Sequence, residues 1–278
     1  MRLIFKHFDA NCRRCDLIDA SRKTERPMLP WQNLLVPLPK LAWPVFFADD
    51  DSYTSAFLQL PANVMNRHSL TNTIAAIAHT TILLAQYHQQ RYPATSMGLL
   101  VESRNRAQHM TLSLSPAVSN DARCTIIQQP AGSIQGSMLD TISAHLYETI
   151  RLSLLIYNNI VIYPMPPASG VGIRLMDSLQ RNLSSLFDIG SSIKLQHPSL
   201  LLWSLMLGGI SGHEKSRIWY QEHFNEILQS QTQYRKWLRL EDLFSSFLWS
   251  DIVLNEEAIK FWSECMRGDG TGSTTTYD

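Results

Sequence analysis

Cys12 and Cys15 flank two arginines in a C-x-x-C arrangement, the spacing with which thiolates grip zinc or form a redox couple. A structural zinc ion takes four ligands. The remaining cysteines, Cys124 and Cys265, lie far along the chain, and no H-x₃₋₅-H pair completes the set. No βαβ pattern surrounds the pair, so a redox motif lacks its context. Gly209-Ile210-Ser211-Gly212-His213 approaches the G-x-S-x-G nucleophile elbow, but His213 stands where the second glycine belongs. An elbow also follows a strand, whereas residues 200–207 read as helix, with Gly208 and Gly209 as its terminus. Gly170-Val171-Gly172 lacks the third glycine and the preceding strand of a dinucleotide loop. The nine histidines include no H-E-x-x-H, and no G-K-[ST] phosphate loop occurs. His109 and His145 are read as hydrogen-bonded structural residues. The sequence therefore assigns no catalytic, cofactor-binding or metal-binding residue.

What remains is charge and aromaticity within apolar helices. Arg104, Glu148, Arg151 and Asp251 are charges whose burial is costly unless they pair. They are the candidates for an interhelical polar network that fixes helix register. Glu148 and Arg151 stand at i, i+3 and would also pair directly on one helix face. Trp203, Trp219, Trp249 and Trp262 recur through the last third, each with an indole N–H that needs a partner when buried. They line either a filled core or a ligand-sensing cavity between helices.

The elements that position these residues follow from periodicity. Prolines 27, 30, 37, 39 and 44 keep long helices out of residues 1–45, which read as an irregular, proline-rich strap carrying Trp31 and Trp43 on an apolar surface. Helices are expected over about 68–90, 96–112, 134–162 and 171–188. Further helices should start at Pro198, near 214–229 and near 233–252, and Asn255 is placed to cap a last one ahead of Glu256 and Glu257. No alternating strand pattern is present. The expected architecture is all-α, a single bundle-like domain over 46–267, with a disordered Gly/Thr-rich tail at 268–278.

Composition narrows the function classes. Lys+Arg and Asp+Glu both number 24, and zero net charge argues against gripping nucleic acid by electrostatics alone. Four scattered cysteines do not make a disulfide scaffold. No signal-peptide pattern opens the chain, and no apolar run is long enough to span a membrane. A soluble intracellular protein is expected.

Several segments together resemble the regulatory domain of fungal zinc-cluster transcription factors. They are Arg104-Asn105-Arg-Ala-Gln108-His109-Met-Thr-Leu112, then Glu148-Thr-Ile-Arg151 leading to Ile156-Tyr157, then Leu200-Leu-Leu-Trp203 through Gly208-Gly209 with Trp219 following, then Phe247-Leu-Trp249-Ser-Asp251 and Phe261-Trp262. The resemblance covers roughly residues 70–265. It implies a nuclear, all-helical regulatory domain without enzymatic activity. In that family the domain follows a binuclear zinc cluster in which six cysteines hold two zinc ions and a helix enters the DNA major groove. This sequence lacks the six cysteines and the basic run, so no DNA-contacting or zinc-binding residue is carried over. Such a chain would be a truncated or incompletely read gene product, or a regulator without a cluster. The expected function is transcriptional regulation through protein partners, including dimerisation with a related regulator, or through a small-molecule effector. The competing readings are an enzyme with a dispersed site and a helical interaction scaffold.

Overall fold

Apolar residues at three- and four-residue spacing, closed by prolines and polar breaks, produce the helices of this computed structural model. The structure describes residues 15–23, 25–29, 54–65, 68–89, 97–117, 134–190, 192–212 and 214–268. The helices are α1 (15–23), α2 (His68–His88), α3 (Met97–Leu112), α4 (Ile134–Tyr157), α5 (Val171–Ile189), α6 (Pro198–Ser211), α7 (Glu214–Ser230), α8 (Trp237–Ser245) and α9 (Asp251–Gly268). Short turns of helix at Ser55–Gln59, Ala62–Met65, Pro167–Ser169, Ile193–Gln196 and Thr232–Arg235 join them. No strand occurs among the described residues, and the fold is all-α. No helix among them is long and apolar enough to cross a membrane.

α6 is the central element. Every residue from Leu200 to Gly209 is buried, as expected of a helix that is apolar all round. α4 and α7 pack on it, α5 packs along α4, α3 packs on α2, and α9 closes against α6 and α7. One continuous core includes Leu154, Leu179, Leu183, Trp203, Phe224, Phe244, Trp249 and Phe261.

Five local expectations are corrected. Gly208 and Gly209 do not end α6, which continues to Ser211. Their role is proximity: a methyl group at Gly208 would overlap the Tyr220 ring, and one at Gly209 the Phe261 ring. α4 is regular only to Tyr157. Asn158–Ile162 continues as a π-helical turn, with Tyr163 N–H donating to the Asn158 carbonyl at 2.7 Å.

The helix expected over 233–252 is broken into the turn at Thr232–Arg235, α8, and a loop before Asp251. Asn255 consequently lies inside α9, where it accepts from Trp249 Nε1 (2.8 Å) and donates to Glu241 (2.7 Å). Asp251 occupies the first turn of α9 instead, where its charge suits the positive end of the helix dipole. Within the segment expected to be irregular, residues 15–23 are helical and Pro27 is buried. Trp31, Trp43, most of the 113–132 loop and the tail beyond 268 lie outside the described residues.

Candidate functional site

The face of α4 that carries His145, Glu148, Arg151, Leu152 and Leu155 meets the face of α5 that carries Leu175, Ser178, Arg181, Asn182 and Ser185. These positions recur at three- and four-residue intervals, so each set lies along one stripe of its helix. Between them is a cleft of about 800 Å³, bounded at one end by Pro116.

Its floor is a buried ion pair. Arg151 Nη2 donates to Glu148 Oε1 at 2.7 Å and Arg151 Nε to Oε2 at 2.9 Å, a two-point fork in which both side chains are about nine-tenths buried. Glu148 Oε2 also accepts the Ala117 backbone N–H at 3.1 Å. Tyr147 donates to the Ser115 carbonyl at 3.0 Å. Two neighbouring residues of α4 thus hold the stretch that leaves α3.

A second polar group tightens the same helix pair. Asn182 donates through Nδ2 to the His145 carbonyl (3.0 Å) and to Thr149 Oγ1 (2.8 Å). Its Oδ1 lies 2.8 Å from His145 Nδ1. With the amide oxygen as acceptor, His145 Nδ1–H is the donor of this bond. On α5, Arg181 donates to the Asp177 carbonyl (3.2 Å) and to Ser178 Oγ (3.2 Å). The lining thus combines one internally neutralised ion pair, one exposed carboxylate (Asp177), one exposed guanidinium (Arg181), hydroxyl and amide groups, and an apolar wall of Leu152, Leu155 and Leu175.

The four charges singled out from the sequence are not brought together. Glu148 and Arg151 share the cleft. Arg104 lies on α3, where Nε donates to the Ile162 carbonyl at 2.6 Å and the guanidinium faces the Tyr163 ring at 5.8 Å. Asp251 is exposed on α9.

The four tryptophans also separate. Trp203 is fully buried, donating to the Leu248 carbonyl (3.0 Å) and stacked on Phe247. Trp249 is equally buried beside Phe244. Trp219 and Trp262 are half-buried, Trp219 between Phe187 and His223, and Trp262 beside Trp237. None of the four lines the cleft.

Sequence reasoning missed Asn182, Thr149 and the Ala117 N–H. A signal existed for Asn182, which interrupts the apolar stripe Leu175, Leu179, Leu183, Leu186 on α5. Ser211 is the last residue of α6 and donates to the Leu207 carbonyl at 2.8 Å, so the strand-to-helix turn of a nucleophile elbow is not built there. Among the described residues no three His, Cys, Asp or Glu side chains converge as a metal site. Cys15 is exposed on α1 and Cys265 is buried on α9.

The profile of the fungal specific transcription factor domain matches residues 67–270, well over half of the chain, and so spans α2 through α9. No curated protein and no solved structure matches the chain.

Proposed function

The chain belongs to the fungal specific transcription factor domain family and serves transcriptional regulation, and we propose that it does so by binding a small polar effector between α4 and α5. The single observation that carries this reading is the cleft of about 800 Å³ floored by the Glu148–Arg151 pair. A buried ion pair is a poor stabiliser compared with apolar packing of the same volume. Its position supplies another use. Glu148 holds both Arg151 and the Ala117 N–H, so a ligand that draws on the Arg151 guanidinium changes the hold on the chain leaving α3. Ligand occupancy would thereby reach the surface used by protein partners, a related regulator among them, in the nucleus.

The same reading treats the domain over 46–267 as one regulatory unit that binds rather than catalyses. Of the cleft serines, Ser178 donates its hydroxyl to the Arg174 carbonyl rather than to a base. The partly hydroxylated, partly apolar lining suits a compact molecule with several hydrogen-bonding groups and a short aliphatic body.

Thermal shift tests the reading, using single-compound titrations of amino acids, short dicarboxylates and sugars. The expected result is a concentration-dependent rise in Tm with one of these classes, lost when Arg151→Met is combined with Glu148→Leu. A rise that survives the double substitution, or no rise with any class, overturns the effector reading.

A further inference from the structure

α1 and the residues after it precede the family match, yet a buried polar relay joins them to it. Gln108 on α3 donates through Nε2 to Ser21 Oγ at 2.7 Å, and Ser21 Oγ donates to the Leu17 carbonyl at 2.6 Å. Gln108 Oε1 accepts from Asn158 Nδ2, the side chain that opens the π turn. The same amide group reaches Thr111 Oγ1 at 3.2 Å. All four side chains are buried. Beside the relay, Leu17 and Ala20 are the apolar contacts of α1, and Pro27 is buried after it.

The chain then folds back on itself. The Asp16 carboxylate accepts the N–H groups of Met28 (3.1 Å) and Leu29 (2.9 Å), and the Leu29 carbonyl meets His109 Nε2 at 3.1 Å. Arg174 on α5 donates to the Arg22 carbonyl. Residues 15–23 and 25–29 are therefore held by α3 and the start of α5, and the π turn backs Gln108 from behind.

We propose that the stretches 15–23 and 25–29 form a releasable clasp, an intramolecular ligand seated in a docking groove of the regulatory domain. The stretch 15–23 taken alone is shorter than the about 12–15 residues a helix needs to hold itself in water, so docking supports it. The small side chains Ala20 and Ser21 admit it to α3, and one hydroxyl completes the hydrogen bonding of Gln108. The anchors are few and local, which suits release. Gln108 and Asn158 keep the groove polar at its centre, so water can replace Ser21 when the clasp leaves. The groove selects a short amphipathic helix with a leucine, then an alanine and a hydroxyl residue one turn on. The clasp does not depend on the cleft between α4 and α5.

Ser21→Asp in the full chain places a carboxylate where Ser21 is 2% exposed, and burial of that charge is prohibitive without a cation. Amide hydrogen exchange and binding of a synthetic peptide of residues 14–30 are then read together. The expected result is loss of protection at 15–23 with protection retained in α4, α5 and α6, and saturable binding of the peptide by the Ser21→Asp chain but not by the wild type. Lys215→Ala, at an exposed position of α7, should change neither. Unchanged protection at 15–23 overturns the clasp. So does cooperative loss of protection through α4–α6, which would make α1 part of the global core, and so does failure of the peptide to bind the released chain.

Discussion

Removing Glu148 strands the Arg151 guanidinium in a site where both side chains are about nine-tenths buried, and frees the Ala117 N–H as well. Breaking one half of a buried pair costs about 3 kcal/mol or more, whereas replacing both halves with apolar residues is often neutral. Glu148→Ala should therefore lower Tm by roughly 6–12 °C for a chain of this size. Glu148→Leu with Arg151→Met should recover most of the loss. Equal losses in the single and double variants would show that the pair is not what the site depends on, and calorimetry distinguishes the two outcomes. At this scale the i, i+3 spacing made a direct Glu148–Arg151 contact readable from the sequence. The third partner was not readable, because a backbone N–H carries no residue signature and Ala117 lies 31 positions away. Asp251 was misplaced for a simpler reason: its charge marks where α9 begins, and the expected helix ran through it.

The glycines of α6 show where element-level reading lost information. A Gly-Gly step ordinarily marks a helix end, and nothing local distinguishes it from two glycines pressed against rings contributed by other helices. Tyr220 cannot swing away from Gly208, since its hydroxyl donates to the Met176 carbonyl at 2.8 Å and burial pushes its ionisation upward. Phe261 beside Gly209 is held between Phe224 and the Arg217 guanidinium. Helix propensity favours alanine over glycine by about 1 kcal/mol, while forced overpacking costs about 1–3 kcal/mol. With both rings held, overpacking should win. Gly208→Ala and Gly209→Ala should each destabilise by about 1–2 kcal/mol in urea unfolding. A gain would show that α7 and α9 can move aside. The π turn was hidden likewise: residues 134–162 keep one apolar pattern, and the departure at Asn158 depends on Gln108 and Thr111 of α3, some fifty positions earlier. Helix existence was legible because periodicity is local. Helix ends, and the contacts that reshape them, were set by distant residues.

Among the described residues, three histidines make a collective pH dependence. His79, His197 and His223 all have their pKa lowered below 6.5, in each case chiefly by burial. The unfolded chain takes up protons at these positions before the folded one does. Stability from this source is therefore complete above about pH 6.5 and is lost as pH falls from there through the folded values. Glu226 is also lowered, first by its hydrogen bond from Lys194, so its contribution disappears only below about pH 4.5. The urea midpoint should fall between about pH 7.5 and 5, and His197→Gln should make that fall shallower. An unchanged slope would show that His197 is not held neutral.

The balance of charge bears on function at the same scale. A chain with 24 basic and 24 acidic residues has no net attraction to supply the phosphate-neutralising part of DNA affinity. Its contribution to transcription should therefore depend on what recruits it. Alone, it should show no retention on duplex DNA at physiological salt. Fused to an unrelated DNA-binding module, it should change expression of a reporter carrying that module's site, and the double substitution at Glu148 and Arg151 should alter the size of the change without lowering the level of the fusion. A fusion that leaves the reporter at the level of the module alone would move the regulatory activity out of residues 67–270. A reporter effect indifferent to the Glu148–Arg151 pair would keep it there and take the cleft between α4 and α5 out of the mechanism.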